Sequence, residues 1–466
     1  MRGKWKLVVL LLAFALVAAA CGDDDDTTAT TAAATTAAPA ATTAAPDTTA
    51  APGTTAAPDT TTATTEAPME ILTDVGVDLD AGVIRVGLLS DLTGPFGALV
   101  APIVTGHEIY WEDVNASGGV NGLQVELVIE DTQYVVDNHV QLYEELKDQV
   151  VAFGHSTGSP HTVAIREALE EDGIFAIPLT WYSGWSDPAL NANLLSHGVP
   201  YCIEAMNLLD YISTTEGGSA VAIASLPGDY GLDSAAGANL AADALGLDVV
   251  YDGSGQVIPG QDLKPIADAI VASGADIVFV TATPGTFSEI YGQAIAQGFV
   301  AKWSGALPSW NPAYVQPESA IKDAIERDWI GDSYIALWSS DGAAGVRDLV
   351  AQYRPDQTPH DFIGEGVVEA TMMHQILLTA YDNGDMTQAG LIAAAKSIDN
   401  LDFGGLAPSE NYTLGANERL QRTSANLFRP SQADAAAGGT GVEIIAENYT
   451  SPTAEAYTFE SACFQL

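Results

Sequence analysis

Between residues 83 and 305, short apolar runs rich in β-branched residues alternate with longer segments of helical periodicity. A helix that returns the chain from one strand to the next produces parallel strands, and helices cover both faces of such a sheet. The alternation therefore predicts an α/β fold built on parallel sheets. The predicted strands are 83–89, 123–129, 150–153, 174–177, 220–225, 248–251, 277–281 and 301–305, and the predicted helices are 98–115, 137–149, 162–171, 203–215, 234–245, 263–272, 287–297 and 367–381.

Residues 1–20 are predicted to be a signal peptide. Basic residues up to Lys6 precede an apolar run over 7–20 that ends in small side chains. The run is shorter than the ~20 residues that a membrane-spanning helix needs. Cys21 follows the letters VAAA at 17–20, which resemble the bacterial lipobox, where the cysteine becomes the lipid-bearing first residue. The alternative is a plain secretory signal with an incidental cysteine.

Residues 21–70 are predicted to be a disordered tether. The segment consists almost entirely of Thr, Ala, Pro and Asp. Such a composition buries too little apolar surface to offset the entropy of ordering a chain. Together with lipid on Cys21, it predicts a domain held on the extracytoplasmic face of a bacterial membrane.

The chain is strongly acidic, with 61 acidic and 16 basic residues and a formal net charge of −45. Nucleic-acid binding needs a basic surface and is excluded on this ground. The sequence contains neither a phosphate-binding glycine loop nor a dinucleotide fingerprint, and its His and Cys residues show no zinc-site spacing. Neither a cofactor nor a metal is therefore predicted.

Cys202 and Cys463 are the cysteines that remain beyond Cys21. An oxidising exterior permits them to form a disulfide. The sequence does not give their separation, so a disulfide and two buried thiols both remain open.

The loops after the predicted strands carry hydroxyls, glycines and aromatic side chains. In open parallel sheets, ligands bind beyond the carboxyl ends of the strands, so these loops are the candidate binding site. A rigid aromatic lining suits a flat or apolar ligand. The loops are 90–97, 154–160, 179–183, 227–231, 281–285 and 308–310.

Several short motifs then resemble one family. They are IRVG at 84–87 with LTGP at 92–95, the turn NASGGVNG at 115–122, and DYG at 229–231. In order and spacing they resemble the type I periplasmic binding proteins of the branched-chain amino-acid transport class, from about residue 83 to the C-terminus.

The resemblance implies two doubly wound parallel-sheet lobes joined by a hinge of three crossovers. The crossovers fall near 200–204, 328–332 and 404–425. One lobe would comprise 83–202 plus 330–410 and the other 203–329 plus 411–466. A monomer of this kind closes on a small molecule, leaves it unchanged, and presents the closed form to an ABC permease.

The resemblance also implies binding residues. The family's carboxylate-gripping loop matches Thr157, Gly158 and Ser159, which precede a helix whose N–H groups and positive dipole end favour an anion. The alternative is that these hydroxyls only cap the helix, and core packing is the alternative for each aromatic candidate. Thr180, Trp181, Tyr182 and Tyr230 follow from the resemblance, and Thr283 and Trp310 from their position on the loops.

The family's acidic anchor for an α-amino group should follow Gly305, where this sequence has ALP at 306–308. A buried ammonium without a carboxylate partner is costly, so an ordinary amino acid requires Asp91, Asp229 or another acid as a substitute. The expected order of ligands is an apolar or aromatic carboxylate, then a free amino acid, then an amide or urea.

Two other functions are considered. The letters GHSTG at 154–158 fit the nucleophile elbow of α/β-hydrolases, with Ser156 as nucleophile, Asp356 or Asp361 as acid and His360 or His374 as base. Against this reading, the helix is predicted to start only at residue 162, and no oxyanion loop precedes the motif. A ligand sensor or surface protein with the same two lobes is the third function.

Overall fold

The computed structural model describes residues 70–189 and 191–466. The predicted signal peptide, Cys21 and nearly all of the tether lie outside the described residues. The described residues belong to one compact unit. None of the helices in this part of the chain is both long and apolar enough to span a bilayer.

The β-branched runs form strands that group into four sheets within the described residues. The strands are β1 Leu72–Thr73, β2 Val77–Asp78, β3 Val83–Ser90, β4 Gln124–Asp131, β5 Ala152–Thr157, β6 Ala176–Leu179, β7 Ala220–Ser225, β8 Asp248–Gly253, β9 Ile277–Thr281, β10 Lys302–Ser304, β11 Gly331–Ser333, β12 Asp385–Met386, β13 Ser424–Pro430 and β14 Val442–Tyr449.

Helices connect most of these strands, and short 3-10 turns accompany them. The α-helices are α1 Gly97–Ala116, α2 Val136–Leu146, α3 Ser159–Asp172, α4 Tyr201–Tyr211, α5 Gly228–Leu245, α6 Lys264–Ser273, α7 Pro284–Ala296, α8 Lys322–Asp328, α9 Ala344–Tyr353, α10 Phe362–Asp382, α11 Gln388–Ser397, α12 Ala416–Arg419, α13 Gln432–Ala436 and α14 Pro452–Ala456.

The two large sheets share one topology. β3 lies between β4 and β5, β6 follows β5, and all four are parallel. β7 lies between β8 and β9, β10 follows β9, and these four are again parallel. β3 and β9 are buried along most or all of their length because helices cover both faces. The predicted α/β fold with two doubly wound parallel sheets is confirmed.

A third sheet is antiparallel and runs β11–β13–β14. β11 and β13 lie at or just beyond the second and third predicted crossovers. The helix α14 packs against α4, and α4 packs against α5. The predicted lobe boundaries themselves stay predictions.

Helices α1 and α10 approach unusually closely through two glycines. A Cβ on Gly106 would lie 2.2 Å from the carbonyl oxygen of Ile363, and one on Gly366 would lie 1.9 Å from that of Ile103. Only glycine permits this backbone contact. The contact brings side chains of α1 and α10 together beneath the end of β5.

One predicted boundary near the candidate site is wrong. Helix α3 begins at Ser159 and not at residue 162. Pro160 occupies the first turn, where its missing N–H costs no hydrogen bond, and Gly158 turns the chain with φ of 95°. The loop after β5 therefore enters the helix directly.

Cys202 and Cys463 are joined in a disulfide whose Cα atoms lie 6.5 Å apart. It fixes the C-terminal segment, where the backbone N–H of Cys463 donates to Ser183 Oγ at 2.9 Å and Tyr182 donates to the carbonyl of Phe464 at 2.7 Å. Of the two alternatives left by the sequence, the structure has the disulfide.

The disulfide closes a loop across 261 residues of sequence separation. Cys463→Ser is expected to lower the free energy of unfolding by about 2–5 kcal/mol, because the unfolded chain gains the entropy of that loop. Urea denaturation of variant and wild type measures the difference. Reduced wild type serves as the control and should match the variant. An unchanged midpoint in both would contradict a stabilising disulfide.

Candidate functional site

A cavity lies where the ends of both large sheets meet. Its lining comes from the loops after β3, β4, β5, β6 and β10 and from helices α1, α3, α4, α5 and α10. The lining residues are Phe96, Leu99, Val100, Ile103, Tyr134, Thr157, Gly158, Ser159, Leu179, Trp181, Tyr201, Tyr230, Pro308 and Phe362.

One end of the cavity is polar. β5 ends at Thr157, and α3 begins at Ser159, so the first turn of a 14-residue helix adjoins the lining. Backbone N–H groups at a helix start and the positive end of its dipole favour an anion. The hydroxyl of Ser159 is hydrogen-bonded to that of Thr180, and Thr157 Oγ1 lies 2.6 Å from His155 Nε2. This end therefore offers oriented hydroxyl and backbone N–H groups, with the buried carboxyl of Asp229 close to Ser159.

Aromatic rings in contact with one another form much of the remaining lining. The ring centroids of Phe96 and Tyr134 are 4.9 Å apart, and those of Phe96 and Tyr230 are 6.1 Å apart. Tyr201 lies 4.8 Å from Tyr230 and 5.9 Å from Trp181. Phe96 follows a strand of the first sheet and Tyr230 one of the second, so these rings join the ends of the two large sheets. This part of the lining suits an apolar surface.

The loop that carries Phe96 is held by a buried acid. Asp91 accepts hydrogen bonds from the backbone N–H of Gly94 at 2.6 Å and of Phe96 at 2.8 Å. Burial raises the pKa of Asp91. Its two oxygens are thus committed to the loop.

Two further acids stand behind the lining. Asp229 is 1% exposed, and burial raises its pKa to about 6. Glu204 is fully buried, which raises its pKa well above the usual value, and it accepts a hydrogen bond from the N–H of Leu307 at 3.4 Å. In the described part of the chain, no carboxylate, Lys, Arg or His belongs to the lining itself.

The structure brings five of the nine candidate ligand residues together in the lining: Thr157, Gly158, Ser159, Trp181 and Tyr230. Tyr230 also donates to the carbonyl of Ala282 at 3.2 Å.

The other four candidates lie outside the lining. Thr180 stands directly behind Ser159. Tyr182 packs on Trp185 beside the C-terminal segment, since neighbouring side chains in extended backbone point to opposite sides. Thr283 accepts a hydrogen bond from the N–H of Thr286 at the start of α7, and Trp310 packs on Phe428 at 5.5 Å between ring centroids.

Some lining residues were missed. Tyr134 and Tyr201 lie outside the loops selected from the sequence, and Leu99, Val100, Ile103 and Phe362 belong to helices. Phe96 lies in a selected loop, where its position after a buried strand was the available signal. The helical residues show only the apolar periodicity of any core helix, which gives no signal for a cavity.

Ser156 points away from the cavity. It lies within β5, fully buried, with its Oγ 3.1 Å from His139 Nε2 and 3.0 Å from Thr162 Oγ1. His139 Nδ1 has no hydrogen-bond partner among the described residues. A catalytic triad needs an orienting acid and an open approach to the serine. The bases considered from the sequence lie elsewhere, with His374 2.9 Å from Tyr110 and His360 hydrogen-bonded to the N–H of Phe362.

Solved structures resemble the chain over most of its length. The "Fatty acid ABC transporter substrate-binding protein from Thermomonospora curvata" is 24% identical, with a TM-score of 0.75 over 83% of this chain and 97% of that one. A branched-chain amino-acid ABC transporter protein from Thermus thermophilus with bound valine is 20% identical, with a TM-score of 0.66 over 80% and 98%. At these identities the likeness shows the fold.

Two curated relatives match in sequence. An "Amino acid binding protein" of Pseudomonas aeruginosa is 27% identical over 212 residues, which span 42% of this chain and about half, 54%, of that protein's own length. A "Chemotactic signal transduction system substrate-binding protein" of Halobacterium salinarum is 26% identical over 324 residues, 60% of this chain and 73% of that protein.

The family model described as "Periplasmic binding protein" matches residues 83–456, which is most of the chain. It agrees with the paired parallel sheets and with the cavity between their strand ends. The chain belongs to the type I periplasmic binding protein family, and its relatives in that family are solute-binding proteins.

Proposed function

We propose that the protein is the solute-binding lipoprotein of an ABC importer and captures a small apolar or aromatic carboxylate between its lobes. A lipid on Cys21 would anchor it to the extracytoplasmic face of the membrane, and the segment 21–70 would hold the domain away from that surface. The lobes would close on the ligand, leave it unaltered and present it to the permease as a monomer.

The lining of the cavity carries this proposal. One end has the hydroxyls of Thr157 and Ser159 beside a helix start, and the remainder is aliphatic and aromatic. A carboxylate seated at the helix start would be bonded there, while its apolar portion would be removed from water at roughly 25 cal/mol per Å².

The absence of an acid from the described lining favours a ligand without an amino group. An α-ammonium would be buried against uncharged side chains, and the loss of its hydration without an acidic partner would cost on the order of several kcal/mol. Asp91 is committed to its loop, and Glu204 contacts the backbone of Leu307, so Asp229 behind the lining is the acid left as a candidate partner for an ammonium. The similar Thermomonospora protein belongs to a fatty-acid transporter by its title, whereas the Thermus protein holds valine. We place an apolar carboxylate first and a free amino acid second.

Ligand sensing is a second candidate function. The similarity to the Halobacterium chemotactic protein favours it. The binding step would be the same, so deletion of the gene distinguishes the two functions: loss of uptake of the bound compound supports import, and loss of a behavioural response with normal uptake supports sensing.

Binding is tested by a thermal-shift screen of residues 67–466 against aliphatic and aromatic carboxylates, amino acids, amides and ureas. We expect the melting temperature to rise with carboxylates, because a ligand that binds only the folded form stabilises it. Tyr230→Ala is expected to weaken binding of that ligand at least about tenfold through loss of the covering ring.

Two controls accompany this variant. Tyr230→Phe keeps the ring and should retain most of the affinity. Tyr211→Ala removes a tyrosine that packs on Tyr449, away from the lining, and should bind as wild type does. A shift from none of the four classes, or full binding by Tyr230→Ala, would contradict the proposed site.

The pH dependence of affinity distinguishes the ligand classes. Asp229, with a pKa of about 6, is neutral below that pH and charged above it. A bound carboxylate on Thr157–Ser159 disfavours the charged form, so binding takes up a proton. Affinity should fall by about 3- to 10-fold as the pH rises from about 5 to about 8.

An ammonium beside Asp229 would favour the charged form, and the affinity of an amino acid would rise over the same range. Isothermal titration calorimetry at several pH values measures the dependence. Asp229→Asn should flatten it, and an uncharged amide ligand should show little of it. A rise in affinity with pH for the carboxylate would contradict this geometry.

A further inference from the structure

Beneath the polar end of the cavity lies a buried cluster of histidines and glutamates. His107 comes from α1, His155 from β5, Glu365 and Glu369 from α10, and His197 from the segment before α4. Each of the five is at most 3% exposed. No part of the proposed binding mechanism requires this cluster.

Glu369 stands at its centre. His107 Nε2 lies 2.9 Å and His155 Nδ1 lies 2.7 Å from the same oxygen, Glu369 Oε2. The other oxygen, Oε1, is buried with no hydrogen-bond partner among the described residues. His197 Nε2 lies 2.7 Å from Glu365 Oε1, and Tyr334 donates to the other oxygen of Glu365.

We propose that this cluster is a binding site for one divalent transition-metal cation of the zinc class. His107, His155 and Glu369 would supply the central ligands. Their ligating atoms lie within 4.8 Å of one another, as do those of His197, Glu365 and Glu369, so that Glu369 joins the two groups. Imidazole nitrogens with a carboxylate are a ligand set typical of zinc.

Charge favours a divalent cation. A buried carboxylate needs a compensating partner, because an isolated buried charge costs several kcal/mol. A divalent cation would compensate Glu365 and Glu369 together, and if it were bound to both oxygens of Glu369 it would give Oε1 a partner.

The geometry needs a small adjustment. Ligands bound to zinc at about 2.0–2.1 Å in a tetrahedron lie about 3.3 Å from one another, so the pairs at the centre would open by about 0.5 Å. Glu365 and Glu369 are four residues apart on α10 and therefore share one face. The close contact of α1 and α10 at Gly106 and Gly366 holds His107 opposite that face.

The site would also orient the cavity wall. A metal on Nδ1 of His155 leaves the ring proton on Nε2, which lies 2.6 Å from Thr157 Oγ1. The threonine oxygen would then accept a hydrogen bond from that N–H, and its own hydroxyl hydrogen would be available to a ligand carboxylate. This last step rests on the proposed function, whereas the metal site itself does not.

Metal content tests the proposal without any organic ligand. The mature chain, purified without a histidine tag, is loaded with Zn²⁺ and dialysed, and its metal is measured by inductively coupled plasma mass spectrometry. We expect about one equivalent, and we expect removal by a chelator to lower the melting temperature, which added Zn²⁺ should restore. Co²⁺ in its place should give a visible absorption band.

The variants Glu369→Gln and His107→Gln are expected to lose metal affinity at least about tenfold. His374→Gln is the matched control, because His374 lies on the same helix α10 but is bonded to Tyr110, and it should retain one equivalent. Circular dichroism of Glu369→Gln confirms that the variant is folded.

The proposal is overturned if the wild type binds less than about 0.1 equivalent of metal after loading and its melting temperature does not change on adding Zn²⁺. The cluster would then be held together by hydrogen bonds alone. Equal metal content in Glu369→Gln and wild type would also overturn it. If metal binds but the screen finds no organic ligand, the proposed function fails and the metal site stands.

Discussion

Burial of the central strands of the two parallel sheets determines where a ligand can bind. Helices pack on both faces around β3 and β9, so the middle of each sheet has no room for a ligand. Only the strand ends remain, where loops turn into helices. The two sheets share one strand order, and their ends meet at a single cavity, which places Thr157 and Tyr230 on the same lining.

The second constraint is electrostatic. The chain carries a large excess of acid, yet the described lining holds no ionised group. The acids closest to it are either bonded to backbone N–H groups, as Asp91 is, or have a pKa raised by burial, as Asp229 has. A cavity of this kind binds an apolar body well and an unpaired ammonium poorly. The polar end of the cavity is the start of helix α3, whose N–H groups and positive dipole end favour a carboxylate.

The sequence was sufficient for the fold and for part of the site. The alternation of strand-like and helix-like segments predicted the parallel sheets. Ligands bind beyond the carboxyl ends of parallel strands, and this selected the loops that carry Thr157, Trp181 and Tyr230. The predicted start of α3 at residue 162 is wrong, since the helix begins at Ser159 with Pro160 in its first turn. Tyr182 and Trp310 lie on selected loops but outside the lining, because side-chain direction within a loop depends on tertiary packing.

The cluster around Glu369 shows what spacing cannot reveal. His107, His155 and Glu369 are separated by 262 residues from first to last and become neighbours through the glycine contact of α1 and α10. A search for short motifs finds nothing there. These residues become neighbours only where helices α1 and α10 pack against strand β5 in the folded protein.

A crystal structure of residues 67–466 with the ligand found by screening would show whether a carboxylate lies intact between the lobes. We expect density for the whole, unmodified compound, with its carboxylate within hydrogen-bonding distance of Thr157–Ser159 and its apolar part against Tyr230. Ligand density outside this cavity, or a cleaved product within it, would rule out the proposed binding mode.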